Sequence, residues 1–298
     1  MARAALDFAA PDAAPGCHTP RVLPPSRPHP FAGGIADLVT LDRDHPGFRD
    51  PEYRARRNAI ARLALDFHEG DPLPDVPYLA SEHEVWRTVH EHLTPLHEAH
   101  ASVEAREFQR LIPLDPQRIP SLATVNAMLA PTGMRMLPVA GLVTPRAFMV
   151  HLGRGIFLST QYMRHHSAPL YTPEPDVVHE LVGHAGSLAH PAIAALSRAF
   201  GRASEEADDA TLEQVTRLYW YTLEFGLVRE QGALKAYGAG LLSSFGELER
   251  FQTQARIEEF RIEDIIRTPF DPTDYQRVLF VAPSFQKMVD EVLAWLGG

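Results

Sequence analysis

Cysteine is almost absent: Cys17 is the single one in 298 residues. One thiol makes no internal disulfide, no cysteine-ligated zinc cage and no iron–sulfur cluster, and it gives no sign of an oxidising compartment. A surplus of basic charge is missing too. The 28 Lys and Arg stand against 38 Asp and Glu, a net charge of −10. That balance excludes a general nucleic-acid surface, though not an anionic substrate held by one arginine. No apolar run approaches the roughly 20 residues of a membrane span. The opening MARAALDFAAPDAAPG lacks the unbroken apolar core of a secretory signal. No P-loop and no Gly-x-Ser-x-Gly elbow occurs, and Gly238-Ala239-Gly240 lacks the third glycine and the βαβ setting of a dinucleotide loop. The expectation left by these absences is a soluble cytoplasmic protein without nucleic-acid or membrane partners.

What is present is an ordinary globular composition, 45% hydrophobic and 22% charged. Residues 1–38, rich in Pro, Ala and Arg with PPSRPHP at 24–30, read as a flexible arm. Residues 39–298 read as one mainly helical domain with small β-elements. Asp50-Pro51 predicts a capped helix start. Ser81 with Glu84 predicts a capping box for the next helix. Short helices are expected near 120–133 and at PRAFMVHLG, flanked by β-like RMLPVAGLV and GIFLSTQYM. Helices broken near Gly183–Ser187 fill 174–200, and a long helix covers 209–230. RVLFVA suggests a strand and SFQKMVDEVLAWL a terminal amphipathic helix.

The richest chemical stretch is EPDVVHELVGHAGSL at 174–188. Its His-Glu opening is shared with zinc proteases, but the second histidine comes five residues after His179 instead of four. On a continuous α-helix that step splays the two rings by about 140°. A loosening at Gly183 is the expected remedy, because glycine tolerates unusual backbone angles. With His184 brought round, a third ligand is needed, and Glu224 is the leading candidate. It sits among Trp220, Leu223 and Phe225, where a carboxylate is costly to ionise without a cation. Two His and one carboxylate form the ligand set of non-haem iron(II) oxygenases. A zinc hydrolase with Glu180 as general base fits the same residues, and Glu224 could instead pair with Arg217 or Arg229. His83, His90, His92, His97 and His100 form a larger histidine group, read as a solvated helix face.

TQYMRHHSAPLYTPEPDVVHELVGH, RLYWYTLEFGL and LKAYGAGLLSSFGELE, with LDRDHPGFRDPEYRARR and PVAGLVTPRAF upstream, resemble the pterin-dependent aromatic amino acid hydroxylases. The resemblance runs over about 39–290. It implies a helical basket around iron(II), a bound tetrahydropterin, and hydroxylation of a free aromatic amino acid by O2. His179, His184 and Glu224 fall on the iron ligands. Gly141, Val143, Phe148, Glu180 and Tyr219 match pterin-side positions. Arg164 matches the residue that grips the amino acid carboxylate, a task suited to its fork. Thr172 and Ser243 match polar positions near the substrate, and Pro175, Trp220 and Phe225 match the walls around its ring. Taken alone, Arg164 also fits a surface position, and Phe148 and Trp220 also fit plain core. Pro272 falls where phenylalanine and tyrosine enzymes differ, with neither the apolar side chain nor the acid found there. The compact form most resembles a bacterial-type phenylalanine hydroxylase, expected to be monomeric. Tyrosine or tryptophan hydroxylation and meta-hydroxylation of phenylalanine are the alternatives.

Overall fold

The structure, a computed structural model, describes residues 41–297. The arm expected over 1–38 lies outside the described residues. Helix α1 (Pro51–Asp66) starts as Asp50-Pro51 predicts, with Asp50 Oδ1 accepting from the N–H groups of Glu52 and Tyr53 at 2.9 and 3.0 Å. Helix α2 (Ala80–His100) starts one residue before Ser81. Glu82, not Glu84, reaches back, accepting from Leu79 N–H at 2.7 Å. The reason is tertiary: the same carboxylate takes both Nε and Nη2 of Arg56 at 2.9 Å, which ties α2 to α1.

After α3 (Val103–Leu111) and α4 (Leu122–Leu129), strand β1 (Arg135–Pro138) pairs in parallel with β2 (Ile156–Ser159) across helix α5 (Pro145–Gly153). The α5 boundaries follow from Thr144, whose hydroxyl accepts from Ala147 N–H, and from Pro145 at the first helical position.

The largest departure from expectation lies next. His179–Ala185 does not break at Gly183; it winds as a π-helix and runs straight into α6 (Gly186–Leu188). The chain turns only before α7 (Pro191–Glu205). The helix expected over 209–230 is also shorter. It comprises α8 (Asp209–Tyr219) and a second π segment, Trp220–Glu224, where Phe225 N–H donates to Trp220 O at 2.8 Å.

From there the chain enters β3 (Leu227–Glu230) and β4 (Ala233–Ala236), then α9 (Ala239–Ser243) and α10 (Phe245–Gln254). Strand β5 (Arg256–Glu259), α11 (Ile262–Ile265), β6 (Val278–Ala282) and α12 (Phe285–Leu296) complete the fold. The second sheet has the order β4-β3-β6-β5, mixed in direction. A single large core draws on nearly every element, from Trp86 and Phe108 through Phe157, Phe200 and Leu227 to Met288.

Helix α2 is not the solvated histidine face expected. His92 is exposed, but His83, His90, His97 and His100 are half-buried. His97 Nε2–H donates to Leu242 O at 2.7 Å, and Ile119 N–H donates to His83 Nδ1 at 3.2 Å. His90 packs 4.5 Å from the Trp86 ring, where burial pushes its pKa down to about 4. The seven-residue recurrence marks a seam against neighbouring chain.

Helix α9 is wedged between the two π segments at backbone distance. A Cβ on Gly238 would stand 2.4 Å from Glu224 O, and one on Gly183 would stand 2.7 Å from Ala239 O. The Gly-Ala-Gly stretch therefore serves close packing. Gly238→Ala is expected to cost about 2–3 kcal/mol by overpacking against backbone that has no room to yield. Gly141→Ala, where a Cβ meets nothing within 4 Å, should stay within about 0.5 kcal/mol of the parent. Chemical denaturation of both variants checks the contrast.

Candidate metal centre

The widened turn resolves the five-residue step. With i→i+5 hydrogen bonding, a π segment has about 4.4 residues per turn, so the step subtends only about 50°. His179 and His184 thus share a face without any break, their Nε2 atoms 3.1 Å apart. The second π segment repeats the device: Trp220 and Phe225, also five apart, pack with ring centroids 4.8 Å apart and planes tilted by 36°. Its last residue, Glu224, places Oε1 at 3.0 Å from His184 Nε2 and Oε2 at 3.7 Å from His179 Nε2. Neither expected rival takes this carboxylate. Arg217 donates to Ile266 O and pairs with Glu213, while Arg229 pairs with Glu259.

The donor set fits a divalent cation. Three ligand atoms from two helices lie within 4.8 Å of one another. Burial works against a charged His184, but the adjacent Glu224 carboxylate outweighs it and raises the pKa. Burial would likewise raise Glu224, yet the His184 charge and hydrogen bond hold it below the usual carboxylate range. A proton on His184 thus occupies the place that a cation would take. Burial pushes His179 down to about 4, so its ring is neutral and has a lone pair to give.

The surrounding groups fix this lone pair's direction. Ser243 donates its hydroxyl to Ala239 O at 2.7 Å, which leaves its oxygen to accept His179 Nδ1–H at 3.0 Å. Nε2 is then the nitrogen with a lone pair to offer a cation, the usual arrangement in which a second oxygen orients a metal-binding imidazole. His184 is backed by Phe157 at 4.5 Å between ring centroids. Phe157 touches Phe148 edge-on at 5.3 Å, and Phe148 meets Tyr219 at 5.7 Å. Gly141 and Val143 stand on the loop between β1 and α5, Val143 exposed and Gly141 half-buried. Glu180, whose pKa burial raises to about 7, is anchored by Thr160, whose N–H and Oγ donate to Oε1 at 3.0 and 2.7 Å.

Arg164 is 4% exposed, not a surface residue, and its fork is already engaged. Nε and Nη2 each donate to Asp176 at 2.8 Å, leaving Nη1 with only a 3.5 Å approach to Pro169 O. Asp176, with no exposed surface, was missed in the sequence although its place three residues before His179 is a helix-capping signal. Its Oδ1 accepts His179 N–H at 3.2 Å. Thr172 Oγ1 donates to Glu174 O at 2.9 Å, and Pro175 O accepts from Thr160 Oγ1 at 3.2 Å, so both belong to the loop leading to Asp176.

The aromatic wall extends beyond Trp220 and Phe225. Phe270 stacks on Trp220 at 4.2 Å and 12°. Trp220 Nε1–H donates to Gln276 Oε1 at 2.9 Å, and Gln276 Nε2 donates to the carbonyls of Asp271 and Asp274, both at 2.9 Å. Gln276 N–H donates to Glu247 Oε1 at 2.8 Å. Phe270, Gln276 and Glu247 carried no local signal. Their relation to Trp220 exists only once β6 and α10 are in place.

Comparison with known proteins follows the same lines. A family model described as biopterin-dependent aromatic amino acid hydroxylase matches residues 36–297. The phenylalanine-4-hydroxylase of Caenorhabditis elegans is 42% identical over 275 residues, covering 89% of this chain and 60% of the relative. The tyrosine 3-monooxygenase of Homo sapiens is 41% identical over 261 residues, covering 86% and 49%. The chain thus spans about half to three-fifths of the length of such curated relatives. A crystal structure of Chromobacterium violaceum phenylalanine hydroxylase, with bound iron(III) and the oxidized cofactor 7,8-dihydrobiopterin, superposes with a TM-score of 0.70 at 30% identity. That match covers 80% of this chain and 90% of the other.

Ser243→Ala removes the group that orients His179 and should weaken divalent-metal affinity by about 10–100-fold, read by competition with a chelating dye. Glu247 gives a pH prediction. Burial raises its pKa to about 7 from 4.5, so the folded state holds this proton more tightly than the unfolded chain. The stability it confers is present below about pH 4.5 and is lost as the pH rises through 7. The swing is about 3 kcal/mol at most. Glu247→Gln keeps the acceptor for Gln276 N–H and should flatten that part of the stability–pH curve, measured by urea unfolding from pH 4 to 8.

Proposed function

Because the chain belongs to the biopterin-dependent aromatic amino acid hydroxylase family, we propose that it hydroxylates the ring of free L-phenylalanine to give L-tyrosine. In this reading, His179, His184 and Glu224 hold iron(II). The single observation that carries it is the convergence of their ligand atoms on one point between two π-wound helices. The zinc-hydrolase alternative falls with family membership, and Glu180 is besides held on Thr160.

When bound, iron(II) and the tetrahydropterin supply the electrons and the metal centre for oxygen activation, chemistry that no side chain here provides. The chain supplies position and dryness. Arg164, set by Asp176, offers Nη1 to the amino acid carboxylate, with Thr172 and Ser243 on the polar side. Pro175, Trp220 and Phe225 wall the ring, which aromatic edge and face contacts suit. Phe148 with Gly141, Val143, Glu180 and Tyr219 forms the pterin side. Glu180, with a pKa near 7, can hold or release a proton there at neutral pH.

The wall loop favours phenylalanine over tyrosine. The Pro272 side chain offers no acceptor for a phenol. Asp271 is exposed, and its Oδ1 is taken by Thr273 N–H and Oγ at 2.9 and 2.6 Å, which also keeps its pKa low. The other carboxylate on this loop, Asp274, accepts from Tyr275 N–H at 2.8 Å and pairs with Arg277 at 3.3 Å.

Iron(II)-loaded protein supplied with tetrahydropterin, O2 and each of Phe, Tyr and Trp tests this. Phenylalanine should be consumed fastest, with NMR showing para-hydroxylation. Dopa, 5-hydroxytryptophan or meta-tyrosine as the main product would replace the substrate assignment. Stoichiometric zinc without pterin-dependent oxygen uptake would overturn the reaction class. His179→Ala and Glu224→Ala should each lose iron and turnover by more than the roughly 100-fold upper range seen on losing an outer-shell partner.

A further inference from the structure

A second group of ligand atoms lies away from the His179–His184–Glu224 centre. Asp50, His165 and His166 each bring one donor within 4.8 Å of the others. We propose that they form a second divalent-metal site, taking a borderline ion such as Zn2+, Co2+ or Ni2+. Two imidazoles and one carboxylate are the donors those ions prefer over the all-oxygen sets of Mg2+ and Ca2+.

The site is built to different degrees at its three members. Asp50 divides its carboxylate. Oδ1 is spent on the start of α1, accepting from Glu52 and Tyr53 N–H, while Oδ2 faces His165 Nε2 at 3.1 Å. That separation is close to the spacing of about 3.3 Å between ligand atoms of a tetrahedral ion with bonds near 2.0–2.2 Å. His165 is 6% exposed and held from two sides. The Tyr53 ring meets it edge-on at 4.9 Å, and Ser167 Oγ lies 2.7 Å from Nδ1. His166 is exposed, with its ring centroid 4.2 Å from that of His165. Its donor already lies within 4.8 Å of the other two and completes the set.

The proton count balances without an added acid or base. In the metal-free state Nδ1 of His165 accepts from Ser167 N–H at 3.2 Å, and Nε2–H donates to Asp50. When a metal takes Nε2, the ring proton moves to Nδ1 and is donated to Ser167 Oγ. An oxygen partner on the far nitrogen is the usual support for a ligating imidazole. A plain helix cap needs Asp50 and at most His165; it gives His166 no task.

Occupancy would brace the start of α1 against the segment that leads out of Arg164. Tyr53 already links the two, its hydroxyl donating to Met163 O at 3.0 Å.

Equilibrium dialysis of the chelator-treated full chain against Co2+ tests the proposal. The readout is the difference in bound equivalents between the parent and His166→Ala, so whatever the first centre binds cancels. His166 is exposed and its removal should leave the fold intact. Asp50→Asn, which keeps a good cap but removes the charged ligand, is the second variant. The parent should bind one equivalent more than either variant, and Co2+ should raise the parent's melting temperature more than theirs. Equal stoichiometry in the parent and His166→Ala overturns the site. Retention of the extra equivalent by Asp50→Asn overturns the three-ligand assignment.

Discussion

The widened helical turn is the constraint on which the rest of the site depends. An α-helix cannot present side chains five residues apart to one point, and here His179 and His184 do so, while Trp220 and Phe225 pack together beside Glu224. Two π segments meet both needs, but such turns are intrinsically poor and persist only where surroundings hold them. The holding element is α9. Its carbonyl at Ala239 presses on Gly183 in the first segment, and Gly238 lies against the Glu224 carbonyl in the second. Ser243, at the end of the same short helix, then fixes the His179 ring. One five-residue helix thus sets the separation of the two ligand-bearing helices and the tautomer of one ligand.

A buried ion pair performs the matching task at the other end of the pocket. Arg164 and Asp176 are almost without exposed surface, so each would be costly alone. Their double hydrogen bond, with the backbone N–H of Arg164 as a third donor to Asp176, satisfies the pair. The remaining oxygen capacity of Asp176 goes to His179 N–H. A single carboxylate therefore joins the orientation of the guanidinium to the start of the helix that carries the histidines. Removing it would unpair a buried cation and loosen a cap in the same step, so on the proposed reading substrate binding and metal binding would be lost together.

Local signals in the sequence located much of this architecture. The Asp50 cap has a short-range cause and falls where the pattern places it, and the helices expected at PRAFMVHLG and SFQKMVDEVLAWL form behind caps at Thr144 and Ser284. The three residues that the structure brings together as a candidate metal site were also legible, since two histidines and an apolar-embedded glutamate are unusual chemistry. The winding was not. Gly183 suggests a break because glycine's backbone freedom is visible in sequence, while its actual use, contact with Ala239, depends on a helix more than fifty residues later. The Ser81 start failed for a similar reason: Glu82 gains Arg56 as well as a cap, and that partner belongs to another helix. The α2 histidines read as solvated because nothing nearby announces the carbonyl of Leu242 or the N–H of Ile119.

The 271–276 loop shows how a pocket wall is selected without contacting the metal. Gln276 is buried and well engaged: its amide holds two loop carbonyls and the Trp220 indole, and its N–H engages Glu247. This makes the position of Pro272 a consequence of the Trp220 wall, not of free loop geometry. Proline adds stiffness by fixing its own φ, and Asp271 is turned onto Thr273 instead of toward the ring stack. On the proposed reading, such a wall suits an unsubstituted ring, because a phenolic hydroxyl entering it would surrender its water and need a new partner. Discrimination on that reading would depend on the loop being held by Gln276 while Asp271 Oδ1 stays on Thr273.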